Sequence, residues 1–242
     1  MKPLVLLVFA VCGAATAAIA QTGRAEITGH VVIAKVLTKK RVTMPSYQLR
    51  GAAVDPLKTE TPDVDPVVDE LSRVVIYLEA PGLDPGAPIS ATLTQKNRRF
   101  EPEFVVIPVG STVSFPNADP IFHNVFSLSK VKEFDLGYYP AGQTQVVRFD
   151  RPGVVQVYCH LHADMAAAIL VLPTTLWTRP LPDGSFSLPG MPAGSYELVV
   201  WHRSAGFFRR RVTVHENDRL AVDLEIPLNE SYRVLASAER GQ

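Results

Sequence analysis

The sequence predicts an all-β protein, and three observations carry that expectation. Twenty prolines and fifteen glycines break the 242 residues into short pieces. Those pieces are rich in Val, Ile, Phe and Tyr, and many alternate apolar with polar residues, as half-buried strands joined by turns do. No window sustains the apolar period of an amphipathic helix.

Residues 1–20 read as a secretory signal: Lys2 supplies the basic start, Leu4 to Val11 the apolar run, and Ala18-Ile19-Ala20 the small-residue cleavage site before Gln21. Cys12 falls inside this segment, and the bulky Val11 before it argues against a lipidation site. The apolar run is shorter than the roughly 20 residues a bilayer span needs, and no later segment approaches that length. The expectation is a soluble, periplasmic or secreted protein with no membrane span. Cleavage leaves 222 residues with 23 Lys and Arg against 24 Asp and Glu. A near-neutral chain offers no broad field for nucleic acid or an anionic membrane. Its length suffices for one or two domains with a real core, without disulfide staples.

Strands are predicted over Ile27–Val36, Arg73–Ala80, Phe104–Val109, Thr112–Phe115, Val146–Phe149, Val154–Cys159, Ala168–Leu172, Tyr196–His202, Arg210–His215 and Leu220–Ile226. Two compositional breaks interrupt them. Residues 44–70 carry four prolines and several acids with few large apolar residues, and read as a long surface loop. Residues 174–183 carry Pro180 and Pro182 and run into Asp183-Gly184, a hairpin turn signal. The chain therefore divides into early strands (21–87), one continuous β pattern (88–173), a late β pattern (174–230) and a tail (231–242).

Once Cys12 is removed, Cys159 is the one cysteine left, in a protein expected to be exported. Such a thiol is reactive, bridged to another chain, or a metal ligand. Its surroundings decide: Cys159, His162 and Met165 follow a predicted strand at C-x2-H-x2-M spacing, placing a thiolate, an imidazole and a thioether on one tight loop. A thiolate with one or two imidazoles and a weak axial thioether is the donor set of a type 1 copper site. The loop supplies one histidine, and the best second donor is His123, at the edge of an apolar run behind the turn Phe115-Pro116-Asn117. Asn124 follows it, placed through its side-chain amide and backbone N–H to tie the two ligand loops and to hydrogen-bond the sulfur. Taken singly, Cys159 is more often a buried core thiol and Met165 core filler; their spacing joins them. His160 competes with His162, but residues adjacent along a strand end point to opposite faces, so His160 is expected to face away. His30, His202 and His215 read as ordinary surface or hydrogen-bonded histidines.

Residues 89–173 resemble the cupredoxins plastocyanin and amicyanin, and plastocyanin-like proteins of methylamine utilisation. The resemblance rests on Phe100-Glu101-Pro102-Glu103-Phe104 with Val109-Gly110-Ser111-Thr112-Val113, on Phe115-Pro116-Asn117 with His123-Asn124-Val125, and on Pro152-Gly153 leading to Cys159, His162 and Met165. It implies a Greek-key β-sandwich binding one type 1 copper through His123, Cys159, His162 and Met165. A looser resemblance links Ile27–Val31, Val74–Leu78 and Asp183–Leu198 to the transthyretin-like, carboxypeptidase-regulatory β-sandwich. It implies a second small sandwich into which the cupredoxin is inserted, with a structural or docking role.

Four protein ligands leave no open position for substrate, so the expectation is not an enzyme but a blue-copper protein passing single electrons to or from a redox protein docked near His162. Pro120-Ile121-Phe122 and Ala166-Ala167-Ala168 flank the ligand loops and offer an apolar collar. The alternatives are a copper carrier or chaperone, a structural or docking protein with a vestigial cupredoxin, and a cysteine-nucleophile enzyme, in which Met165 has no role.

Overall fold

The computed structural model describes residues 24–34 and 65–226; the expected signal, most of the 44–70 excursion and the 231–242 tail lie outside the described residues. In chain order the elements are β1 (Ala25–Ile33), α1 (Pro66–Leu71), β2 (Val74–Glu79), β3 (Ser90–Thr92), β4 (Thr94–Lys96), β5 (Arg99–Glu101), β6 (Phe104–Pro108), β7 (Ser111–Pro116), β8 (His123–Ser129) and β9 (Lys132–Tyr139). They continue with β10 (Thr144–Phe149), β11 (Gly153–Tyr158), β12 (Ala166–Leu172), β13 (Trp177–Thr178), β14 (Ser185–Met191), β15 (Gly194–His202), β16 (Gly206–Val214), β17 (Arg219–Ala221) and β18 (Leu224–Ile226). The described chain is all-β apart from α1, as the turn-rich, alternating sequence predicts.

Four sheets form four layers, and the two-stranded hairpin β4-β5 stands beside them. In the first layer β14 and β17 flank β1, and β18 also pairs with β1; the second runs β13-β2-β15-β16. The core between these two layers is built from Ile27, Ile76, Leu78, Leu188, Leu198 and Val214, among others. The third layer runs β6-β12-β11-β8-β9 and the fourth β10-β7-β3, around Phe115, Phe149, Val155, Val157 and Ile169. A further apolar seam joins the second layer to the third: Val75, Tyr77, Val199 and Trp201 meet Phe104, Ala168, Leu170 and Leu172.

Strand β12 shows how the seam arises. Side chains alternate across a strand, so Ala167, Ile169 and Val171 enter one core while Ala168, Leu170 and Leu172 enter the seam. A strand covered on both faces carries an unbroken apolar run, and Ala166-Ala167-Ala168-Ile169-Leu170-Val171-Leu172 is one. The chain passes from β2 through β3 to β12 and returns to β13, which pairs back onto β2 at Trp177↔Tyr77.

Two expectations need correction. The end of the predicted 44–70 loop contains a helix: Asp65 caps it by accepting from the Val67 N–H (2.8 Å), and Pro66 occupies the first turn, where no N–H is needed. Its six residues are too few to show a helical period. The predicted strand Leu220–Ile226 is two short strands, both parallel to β1. The break comes at Val222, whose carbonyl oxygen would lie 1.9 Å from a Cβ at position 29; only Gly29 permits that approach. Asp183-Gly184 does form a turn, with Gly184 at φ +86°. The Gly184 N–H donates to the Leu181 carbonyl oxygen (2.8 Å) and the Leu181 N–H to the Ser185 carbonyl oxygen (2.8 Å), closing a tight hairpin turn, beyond which β13 pairs with β2 and β14 with β1.

The second layer reaches toward the first residues of β12 through one side chain. His202 is fully buried at the end of β15; its Nε2 lies 2.8 Å from Glu70 Oε2, and its Nδ1 accepts from the N–H groups of Ser204 and Ala205 (3.2 Å each). The turn so fixed carries Arg203, which donates to the carbonyl oxygens of Glu103 (3.1 Å) and Ala166 (3.1 Å). Burial holds the pKa of His202 below the ordinary 6.5 despite the opposing pull of Glu70, and a proton on Nδ1 would also break both turn contacts. The unfolded chain therefore takes up a proton at His202 at a higher pH than the folded chain does, and this contribution to stability is lost as pH falls below about 6.5. Urea midpoints should drop between pH 7.5 and pH 5.5, and the drop should be smaller in His202→Gln, which keeps a donor and an acceptor but does not titrate.

Candidate metal centre

The pairing of β11 with β8 creates the site. Tyr158 lies opposite Phe126 in an antiparallel register, so one step further Cys159 faces Val125, and His160 faces Asn124. Alternation puts His123, Val125 and Cys159 on the inner face and Asn124 and His160 on the outer one. His123, Val125, Cys159 and Met165 are all buried. Beyond Cys159 the loop closes through the Met165 N–H, which donates to the His162 carbonyl oxygen (3.0 Å), and β12 begins at the next residue.

His123, Cys159 and His162 form a group whose ligand atoms all lie within 4.8 Å of one another. Cys159 Sγ is 3.9 Å from His123 Nδ1 and 3.8 Å from His162 Nδ1, and the two rings meet edge to face with centroids 4.8 Å apart. Nitrogen and sulfur donors bonded to one ion at roughly 2.0–2.3 Å, with angles of about 120–130°, lie about 3.7–3.9 Å apart. The observed spacings fit an ion held between them. Met165 is buried at the far end of the same loop, in the same apolar cluster as Cys159. Phe115, Val125 and Tyr139 belong to the same buried cluster.

A buried carboxylate holds the ring of His123. His123 turns Nε2 to Asp119 Oδ2 at 2.8 Å, which leaves Nδ1 toward Cys159. Asp119 carries no motif of its own in the sequence; its one local signal is its place four residues before His123, behind an Asn117 turn in which Asn117 Oδ1 accepts the Asp119 N–H. Burial of His162, with the neighbouring His123 and Arg98 adding to it against the opposing Asp119, holds its pKa below the ordinary value. A neutral ring keeps a lone pair for a metal.

Asn124 joins the ligand segments differently from the sequence expectation. Its Oδ1 receives the His160 N–H (3.4 Å), tying the Cys159 loop to β8, but its amide hydrogens go to Asp135 Oδ1 (2.6 Å) and the Gly137 carbonyl oxygen (3.1 Å), not to the Cys159 sulfur. His160 stands outside the ligand group: its ring stacks on Phe126 at 3.8 Å and lies 3.6 Å from Asp135. Of His123, Cys159, His162 and Met165, His162 alone is not buried. Beside the ligands in sequence, Ile121 (40% exposed), Phe122 (57%) and Leu161 (50%) present large apolar side chains to solvent.

No family model matches the chain, and no curated protein matches it. Among solved structures, the chain is similar over 34% of its length to a purple cupredoxin from Nitrosopumilus maritimus, covering 99% of that chain at 23% identity and a TM-score of 0.32. Amicyanin from Paracoccus versutus matches over 40% of this chain and 98% of its own, at 16% identity and TM-score 0.32. A copper-containing nitrite reductase from Thermus scotoductus matches over 45% of this chain but only 27% of its own, at 23% identity and TM-score 0.34.

Because Asn124 is buried with both amide hydrogens bonded, Asn124→Ala should strip partners from the Gly137 carbonyl and Asp135 and cost about 1–3 kcal/mol. Chemical denaturation of the metal-free protein measures that loss.

Proposed function

We propose that this protein is an exported blue-copper electron carrier, holding one type 1 copper through His123, Cys159, His162 and Met165. The observation that carries the reading is the buried Cys159 thiol set 3.8–3.9 Å from two imidazole nitrogens, with a buried methionine closing the same loop. A soft thiolate with two imidazoles and a thioether is the donor set that suits copper in both its oxidation states. A copper ion bound there supplies one-electron Cu(II)/Cu(I) chemistry. The chain would supply the rest: His123 and Cys159 would hold the ion from adjoining strands, Met165 would offer a thioether from the same loop, and the partly exposed His162 ring would connect it to the surface.

A four-ligand set leaves no place for a substrate, so the reading is a carrier rather than an enzyme. The apolar side chains of Ile121, Phe122 and Leu161 suit a small, transient interface with a redox protein docked near His162. Export to the periplasm or beyond rests on residues 1–20 of the sequence. We further take residues 88–173 as the cupredoxin domain and the sheets formed by 21–87 and 174–230 as a transthyretin-like support. Among the described residues no helix is long and apolar enough to cross a membrane.

The protein loaded with Cu(II) should show an intense thiolate-to-copper absorption band and narrow copper hyperfine splitting; a colourless protein at full loading would sink the proposal. Cys159→Ser should abolish the band, while Met165→Leu should keep it and shift the reduction potential. His162→Ala should remove the colour and His160→Ala should not. Reversible reduction without loss of copper separates an electron carrier from a copper chaperone.

A further inference from the structure

The hairpin β4-β5 packs its turn against the metal centre through one buried carboxylate. Asn97 and Arg98 form its two-residue turn, with φ of 54° and 55°. Consecutive positive φ values are those of a type I′ turn, ordinarily filled by Asn and Gly. An arginine in that conformation costs about 1 kcal/mol or more. Something must hold it there, and both turn N–H groups point at Asp119: Asn97 N–H donates to Oδ1 (2.6 Å) and Arg98 N–H to Oδ2 (2.8 Å). Oδ2 also meets His123 Nε2 at 2.8 Å. The loop bearing Asp119 is itself pinned, since Asn117 donates to the carbonyl oxygens of Ile121 (2.8 Å) and Tyr139 (3.1 Å).

An ionised carboxylate can only accept hydrogen bonds, so the contact with His123 requires the ring to donate from Nε2. That fixes the tautomer with a free lone pair on Nδ1, the nitrogen facing Cys159. Each Asp119 oxygen already accepts a backbone N–H, from Asn97 and from Arg98, the bonding of a carboxylate that acts as acceptor at both oxygens. The negative charge stands one ring away from the bound ion.

We propose that Asp119 is the positioning residue of the metal centre: it locks His123 with Nδ1 toward the ion, and its charge, felt through the ring, favours the oxidised over the reduced metal and retains the metal. The tautomer lock stands on the geometry alone; the effect on redox state rests on the copper reading above. Outer partners of this kind raise ligand basicity, and losing one typically weakens metal affinity about 10–100-fold.

The first measurement is nitrogen-15 and proton NMR of His123 in the metal-free full chain. A ring protonated at Nε2 and not at Nδ1 is expected, and the Nδ1–H tautomer would overturn the proposal whatever metal binds. The second compares the wild type with Asp119→Asn, which keeps shape and loses charge. In the variant the thiolate band should persist, the reduction potential should move to a more positive value, and affinity measured against a competing chelator should fall about 10–100-fold. An unchanged potential with unchanged affinity contradicts it, because a carboxylate that merely pins the hairpin turn would alter stability and leave both untouched. Asp119→Glu should restore part of the loss. If the wild type itself shows no thiolate band, the copper reading fails separately, and Co(II) affinity in the same pair of proteins still decides the role of Asp119. Should Asp119→Asn not fold, the tautomer in the unaltered chain decides it.

Discussion

The two-sided burial of β12 is the constraint on which the rest of the molecule hangs. The strand belongs to the core behind the metal centre on one face and to the seam with the second layer on the other. It pairs antiparallel with β11 over six residues and parallel with β6 over five. Each large apolar side chain it buries contributes about 1.5–3 kcal/mol, and Ile169, Leu170, Val171 and Leu172 are all within 1% of full burial. Surface ion pairs such as Arg148 with Asp150, about 0–1 kcal/mol each, are minor beside that. The ligand loop therefore ends on the most firmly held strand in the third layer, and Met165 sits at the last residue before it. At its other end the loop leaves β11, whose neighbour β8 starts with His123. Three of the four donors thus stand where strands begin or end, and backbone pairing sets their spacing.

The flanking sheets reach the same place by a different route. Glu70 on α1 faces His202, His202 organises the turn after β15, and that turn aims Arg203 at the carbonyl oxygens of Glu103 and Ala166. A hydrogen bond from a charged donor contributes about 1.5–3 kcal/mol when sheltered and less when wet. Arg203 is partly exposed, so its effect is more one of placement than of stability. The apolar seam, with Phe104 edge-to-face on Trp201 at 5.3 Å, provides the adhesion. Arg203 bridges the carbonyl oxygen of Glu103, just before β6, and that of Ala166, at the start of β12 immediately after the loop.

What the sequence made legible follows from how local each signal is. Runs such as Val154–Cys159 and Tyr196–His202 read as strands because their own alternation or continuous apolarity declares them. β14 is harder, since Pro189 and Gly190 argue against a strand; it survives because it lies at a sheet edge, where a missing N–H is tolerated. β3, β4 and β5 have three residues each, too few to show a period. At the candidate site, Cys159, His162 and Met165 stand within seven residues, and chemistry and spacing together single them out. Asp119 did not stand out, because two of its partners, Asn97 and Arg98, come from a hairpin about twenty residues upstream and only tertiary structure brings them together. The side-chain amide hydrogens of Asn124 are hard to place for a similar reason: Asp135 and Gly137 belong to β9, and their claim on those hydrogens is invisible until β8 and β9 pair.

The same geometry bears on whether the site keeps or delivers its metal. Release requires a donor to swing away, and the freedom to do so differs among the four. Cys159 is held by the end of β11 and by the Asn124 tie through its neighbour His160. His123 is fully buried, with its outer nitrogen on a carboxylate that a hairpin turn also grips. Met165 is buried where β12 begins. His162 is the remaining candidate, a partly exposed ring on the loop itself. Moving it alone leaves three donors in place around the ion, which retains more than it frees. On the copper reading proposed above, three buried side chains with one partly exposed ring suit passing an electron better than handing over metal, since an electron can cross His162 without any donor moving.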